Sequence, residues 1–258
     1  MHRPGILAFA AIFLLFAGML TAPLKNAVRG ALSGTGEAGA GRHPGGGVSR
    51  AGLLGPVGAL TADAFWLRMA GAWEKQDRSA VEMYIRMAIV ADPGASVFAR
   101  DGARILAYDV PRWRVRQFAV RTGRMPSAAV TEQIYRDEAK KSLSILERAA
   151  AVHPGNARIV ADAAMLHLNR LDDVEGAARL FRQAAEIDGA PRFTVRIYGR
   201  LLRQLGRFDE AYQWYISRCR GLSGSCVDDQ DSILLERILE LEELLDVPPG
   251  RRFLDASG

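Results

Sequence analysis

The sequence predicts an all-α protein, an array of helical hairpins preceded by one apolar helix long enough to span a bilayer. Beyond Leu60, apolar residues recur at helical spacing and no alternating, strand-like run appears. Short Pro, Gly and Asp punctuation cuts that pattern into hairpin-sized pieces. Between Arg3 and Lys25 there is no charged residue. With 258 residues, 49% of them apolar, and two Cys, the chain accommodates one domain of ordinary size plus an appendage. That composition excludes disorder throughout, collagen and a disulfide-rich mini-protein.

Pro4 to Leu24 is a run of 21 residues, and a helix of that length covers about 31 Å, one bilayer core. Met1-His2-Arg3 makes a short positive leader, so a cleaved signal peptide competes with an uncleaved anchor. Cleavage is disfavoured because Pro23 would follow a cut after Ala22, and the small residues Ala38-Gly39-Ala40 lie too far beyond the apolar run. Residues 1–25 are therefore expected to be an uncleaved transmembrane signal anchor. Arg3 on one side is nearly balanced by Lys25 and Arg29 on the other. The short amino-terminal tail favours N-inside topology, which gives a bacterial inner-membrane protein with a periplasmic carboxy-terminal domain. Residues 26–59 hold glycine after glycine, with scarcely a large apolar residue before Leu53. They are expected to be a flexible tether with a reach of about 30 Å.

Residues 60–226 are expected to form the helical repeats, and Arg192 to Arg220 is the clearest unit. Val195, Tyr198, Gly199 and Leu202 form one apolar stripe, Gly206 ends the helix, and Asp209 and Glu210 suit the positive first turn of the next. Ala177 to Ala211 and Phe181 to Tyr215 are both 34 residues apart. LeuGlyArgPheAspGluAlaTyr at 205–212, with Tyr198-Gly199 upstream, resembles a tetratricopeptide repeat, and AlaAlaArgLeuPheArgGlnAlaAlaGluIleAsp at 177–188 resembles its second helix. SerIleLeuGluArgAlaAlaAlaValHisPro at 144–154 and MetTyrIleArgMetAlaIleValAlaAspPro at 83–93 look like further repeat ends. The resemblance implies a right-handed superhelix of hairpins. Met165 stands where the family prefers a small residue, Val81 where it prefers Ala, and residues 112–133 match no repeat. Residues 227–258 are expected to cap the array, with Leu234, Leu235, Ile238, Leu241 and Leu245 on one side of a helix introduced by Asp228, Asp229 and Asp231.

The formal charge of +5 would ordinarily raise nucleic acid as a partner, but only Lys25, Lys75, Lys140 and Lys141 are lysines among 34 basic residues, which fits codon bias. No nucleic-acid motif or aromatic stacking platform is present, so nucleic acid is not expected. No HExxH, CxxC, GxSxG or phosphate loop opens a helix, so neither an enzyme, a cofactor, a metal nor a small-molecule substrate is expected. His153, His167 and the pair Asp172-Asp173 read as structural residues at helix ends and turns. Cys219 and Cys226 enclose six residues with two Gly. Outside the cytoplasm they would pair and staple the terminal helix to its neighbour, and in the cytoplasm they would be two thiols.

The most informative polar pattern is Arg192, Arg196, Arg200, Arg203 and Arg207, which share one side of one helix. The resemblance places Arg196, Arg200 and Arg203 on the inner, groove-lining face, where family members that grip peptide carboxylates carry basic residues; Asn169 is a candidate for the family's partnering Asn. The stripe could instead be solvated, or neutralised by the acidic terminal helix with Glu236, Glu240, Glu242, Glu243 and Asp246. The function expected is a non-enzymatic, membrane-anchored scaffold offering this face to a protein or acidic peptide segment in the cell envelope. The alternative is an accessory subunit held permanently in a multiprotein membrane machine.

Overall fold

The computed structural model describes residues 55–220 and 232–255, and every long element among them is an α-helix. In chain order these are α1 (Gly55–Glu74), α2 (Arg78–Ala91), α3 (Ser96–Tyr108), α4 (Val110–Thr122), α5 (Ala128–Val152), α6 (Ala157–Arg170), α7 (Val174–Ala185), α8 (Arg192–Gln204), α9 (Phe208–Arg220) and α10 (Ser232–Leu244). Among the described residues no helix is long and apolar enough to cross a membrane. The anchor expected at 4–24, most of the tether, and Cys226 with the capping aspartates lie outside the described residues.

Helices α6 and α7 pair, as do α8 and α9, with α1 preceding α2 in the same order, and two positions of the second helix recur in all three. The fourth residue of each second helix, Val81, Ala177 or Ala211, is fully buried, as is the eighth, Ile85, Phe181 or Tyr215. The eighth residue of α8 is Gly199, and a Cβ there would stand 2.2 Å from the Tyr215 ring. The ring takes the volume a side chain would fill, so the helices approach closely.

The turns explain why a fixed period survives so much sequence change. Gln76 (φ 54°), Asp172 (φ 56°), Gly206 (φ 73°) and Asp246 (φ 50°) each follow a first helix in the left-handed region. Past three of them the next amide reaches back across the last turn, Asp77 to the Ala72 carbonyl, Arg207 to Leu202 and Val247 to Glu242, at 2.9–3.0 Å. This six-to-one bond satisfies a carbonyl that the helix end leaves bare. After Asp172 the bond runs one residue further, from Asp173 to His167. Helix α6 therefore absorbs one extra residue at its end. That corrects the register read at Met165: the eighth residue of α6 is the fully buried Ala164, and Met165 is the half-buried ninth. Helix α10 ends as a first helix does, but the described chain after Val247 forms turns rather than a second helix.

The second repeat is interrupted. Ala149 occupies in α5 the place that Ala88 holds in α2, each accepting the cap bond at its helix end. The two are 61 positions apart where one period would be 34, so 27 residues have been inserted. Helix α3 stops at Tyr108, and Val110-Pro111 opens α4 at once, Pro being suited to a first helical turn. The insert is α4 and the first half of α5, and the second half of α5 packs on α3 as that repeat's second helix. Successive repeats are tied by His153 Nε2, 2.9 Å from the Pro93 carbonyl oxygen, and by Asn156, whose amide donates to Ser96 Oγ at 3.1 Å.

Helix α6 joins the two halves of the core. Its Ile159, Ala163 and Leu166 pack with the first two repeats, and its Val160, Ala161 and Ala164 pack with the last two and α10.

Candidate functional site

The first helices α3, α6, α8 and α10 start at equivalent points, so their fifth and ninth residues form a ladder. The rungs are Arg100 and Arg104, Ala161 and Met165, Arg196 and Arg200, then Glu236 and Glu240. Basic, apolar, basic and acidic rungs thus succeed one another along the array.

Between the first two rungs lies a cleft of about 510 Å³, lined by Arg100, Arg104, Tyr108, Asp162 and Met165 among others. Arg100 crosses it to Asp162 at 2.5 Å, and Arg104 pairs with Asp101 at 3.2 Å. At its far end the Arg170 guanidinium lies 4.2 Å from the Tyr108 ring centroid and 4.9 Å from that of Tyr135. Two aromatic faces hold that cation where burial would otherwise penalise it. Asn169, the candidate partner of a peptide, donates to the Tyr108 hydroxyl at 3.5 Å.

The five-arginine stripe divides: Arg192, Arg196, Arg200 and Arg203 lie on α8, whereas Arg207, expected on the same helix, lies beyond its end, after the turn at Gly206. Arg203 donates to Glu240 at 2.7 Å, and Arg237 binds the same carboxylate. The Arg237 bond, with Arg203 behind it, holds the Glu240 carboxyl below the usual range. Arg207 is engaged by Glu210 at 2.5 Å. Arg196 and Arg200 are exposed, and among the described residues neither has an ion-pair partner. The structure therefore leaves Arg196 and Arg200 open and commits Arg203 to the acidic terminal helix. The Arg196 carbonyl accepts a bond from the Tyr215 hydroxyl at 3.3 Å, which fixes this turn of α8 against α9. Burial pushes the Tyr215 hydroxyl's pKa up, and the nearby Arg203, Arg237 and Arg200 charges only partly offset it.

Cys219 is buried in α9 and disulfide-bonded. His167 Nδ1 sits 2.8 Å from Asp173, which caps α7 by accepting from the Gly176 amide. That backbone bond, and then His167, lower the Asp173 pKa. Among the described residues no group of His, Cys, Asp or Glu could hold a metal ion.

Two buried carboxylates were not foreseen in the sequence. Glu138 is wholly enclosed and accepts on one oxygen from Arg114 at 2.8 Å, with Arg78 at 3.4 Å and Lys141 at 3.5 Å. Glu242 accepts from the Tyr212 hydroxyl at 3.0 Å and from the Phe253 amide at 2.6 Å. A usable signal for the first lay in Ile134, Glu138, Ser142 and Leu146, spaced by four along α5, since all four are buried.

The hairpins, their left-handed turns and their 34-residue recurrence define an array of tetratricopeptide-like repeats. No family model and no curated protein matches the chain. Among solved structures it is similar to a thermophilic TPR protein of Thermus thermophilus, at 16% identity and TM-score 0.34, over 71% of this chain and 99% of that one. It is also similar to the MamA protein, at 15% identity and TM-score 0.30, over 71% of this chain and 92% of that one. A third is PilW, a widely conserved type IV pilus biogenesis factor, at 13% identity and TM-score 0.32, over 67% of this chain and 82% of that one. The assignment rests on the chain's own repeat register rather than on these low scores.

Proposed function

We propose that this chain is a non-enzymatic scaffold, anchored in the bacterial inner membrane by residues 4–24, whose periplasmic repeats hold an extended acidic segment of another envelope protein. The observation that carries this reading is the pair Arg196 and Arg200, one turn apart, exposed and without an ion-pair partner among the described residues. Two guanidiniums so placed repel each other, and a carboxylate shared between them offsets that repulsion and gains bidentate hydrogen bonds. On the neighbouring rung Ala161 is buried in the core, so the half-buried Met165 alone would meet an apolar residue beside the acidic one. A disulfide between Cys219 and Cys226 would fit the oxidising side of the membrane.

The test is capture of partners from solubilised membranes, read by mass spectrometry, with the full chain and with Arg196→Glu, Arg200→Glu. Loss of capture at unchanged stability is expected, and retained capture would remove the arginine pair from the binding site. Carbonate extraction and amino-terminal sequencing of the same preparation check the anchor, since a soluble product starting near Lys25 refutes it.

One observation favours permanent assembly instead. Met83, Met87 and Val90 form an exposed apolar stripe along α2, of the kind a constitutive contact covers. On that reading the chain migrates in one large complex and binds no short acidic peptide.

A further inference from the structure

The insert concentrates the chain's charge. Residues 110–137 carry Arg112, Arg114, Arg116, Arg121, Arg124 and Arg136 against Glu132 and Asp137, a net +4 within a chain of formal charge +5. Arg114 is turned inward to Glu138, and Arg136 is paired with Glu132 at 2.7 Å. Among the described residues Arg112, Arg121 and Arg124 have no carboxylate within ion-pair distance, and Arg116 has the Gln76 amide oxygen at 3.5 Å. At the outer turn of the same hairpin Val120 is 81% exposed and Met125 71%, with Val130 exposed beside them. The base of the insert is fixed by Glu138 and by Tyr135 against Arg170, so the tip projects from a rigid mount.

We propose that this tip docks on an anionic lipid surface, with Arg116, Arg121 and Arg124 binding lipid phosphates while Val120, Met125 and Val130 enter the headgroup boundary. Long arginine stems lie along apolar matter while their heads stay with phosphate, which suits the mixture at the tip. Attraction to an anionic leaflet grows by about fivefold in affinity per basic residue near the surface. Nucleic acid is disfavoured because no exposed aromatic side chain stands at the tip for a base to stack on: Trp113 is buried and Phe118 half-buried. The inference extends the proposed anchoring, which would keep the domain close to a bilayer, yet it concerns a separate contact.

The experiment places the full chain in vesicles of phosphatidylcholine alone and of phosphatidylcholine mixed with phosphatidylglycerol, and follows amide hydrogen exchange over residues 119–131. Slower exchange in the anionic vesicles only is expected, lost in high salt and in Arg116→Glu, Arg121→Glu, Arg124→Glu. Circular dichroism of that variant should be unchanged, because all three side chains are exposed. Val120→Ser, Met125→Ser should lose part of the protection while keeping its salt dependence. Equal exchange in the two vesicles overturns the proposal. So does protection that appears with an added acidic peptide or oligonucleotide and no anionic lipid. Carbonate extraction of the same sample separates the two membrane claims, since an extractable chain refutes the anchor while the exchange difference still reads the docking.

Discussion

In the last hairpin, α8 and α9 meet where Gly199 presents nothing larger than a hydrogen atom and the Tyr215 ring fills the space. In the interrupted second repeat, α2, α4 and α5 meet around a wholly buried glutamate and three cations. The first contact is steric and tolerates no added volume. The second is electrostatic and tolerates no loss of charge. Close helix packing can be specified by the absence of a side chain, whereas an inserted hairpin, lacking a place in the repeat pattern, is held by groups that find each other only in the folded chain.

The largest expected effect is therefore steric. Gly199→Leu should lower stability by about 3 kcal/mol, because the buried Tyr215 ring must leave its site and surrender its bond to the Arg196 carbonyl. Chemical denaturation checks this, and an unchanged midpoint would place Gly199 away from the contact.

Next comes the buried carboxylate of the insert. Glu138→Ala should cost about 2 kcal/mol, less than a fully enclosed ion pair, since Arg78, Arg114 and Lys141 are each partly solvated. Glu138→Gln should cost nearly as much, because the cations need the charge. Glu242→Gln should cost under about 1 kcal/mol, because its partners, a phenol and a backbone amide, are neutral and an amide oxygen still accepts from both. If the two Gln variants lose equal stability, the distinction between a charged and a neutral mount fails.

Alkaline titration sharpens the same contrast. Burial, followed by the bond to Glu242, pushes the Tyr212 hydroxyl up to about 12. A raised folded value means that the unfolded chain releases this proton first, so stability is full below the ordinary tyrosine value near 10 and falls as pH rises from there to about 12. The fall attributable to Tyr212 should not exceed about 3 kcal/mol, and Tyr212→Phe should shrink the slope while leaving the part due to Tyr215. A slope unaffected by that change would detach Tyr212 from the terminal helix.

The smallest effects lie in the turns. Gln76→Gly should stabilise by about 0.5–1 kcal/mol by relieving a left-handed residue that carries a Cβ, and Gly206→Ala should destabilise by a similar amount. Thermal melts of the pair check the common turn geometry. Opposite signs support it, and equal signs contradict it.

Much of the array was legible because hairpin repeats are local. Helical spacing and the Gly206 stop lie within one or two turns of the contacts they specify, and the 34-residue interval from Phe181 to Tyr215 is visible because the same local pattern is written twice. The failure at Met165 was also local in origin: the extra residue in α6 is absorbed by a longer bond at the helix end, which shifts no apolar spacing and so leaves no trace in the pattern. The terminal helix showed its apolar side correctly, with Leu234, Ile238 and Leu241 buried.

By itself the sequence determined the helical class and the run of Arg192, Arg196, Arg200 and Arg203 along α8, because each depends on residues a few positions apart, and the repeat period, because one such local pattern recurs 34 residues on. Only the tertiary structure decided which arginines are spent and which are open. Arg203 and Glu240 are 37 positions apart, Arg78 and Glu138 are 60 apart, and Arg114 reaches Glu138 across the turn of the insert. A charge has no period and acts through space, so whether a guanidinium meets a carboxylate, a tyrosine ring or open solvent is settled by which helices fold alongside it.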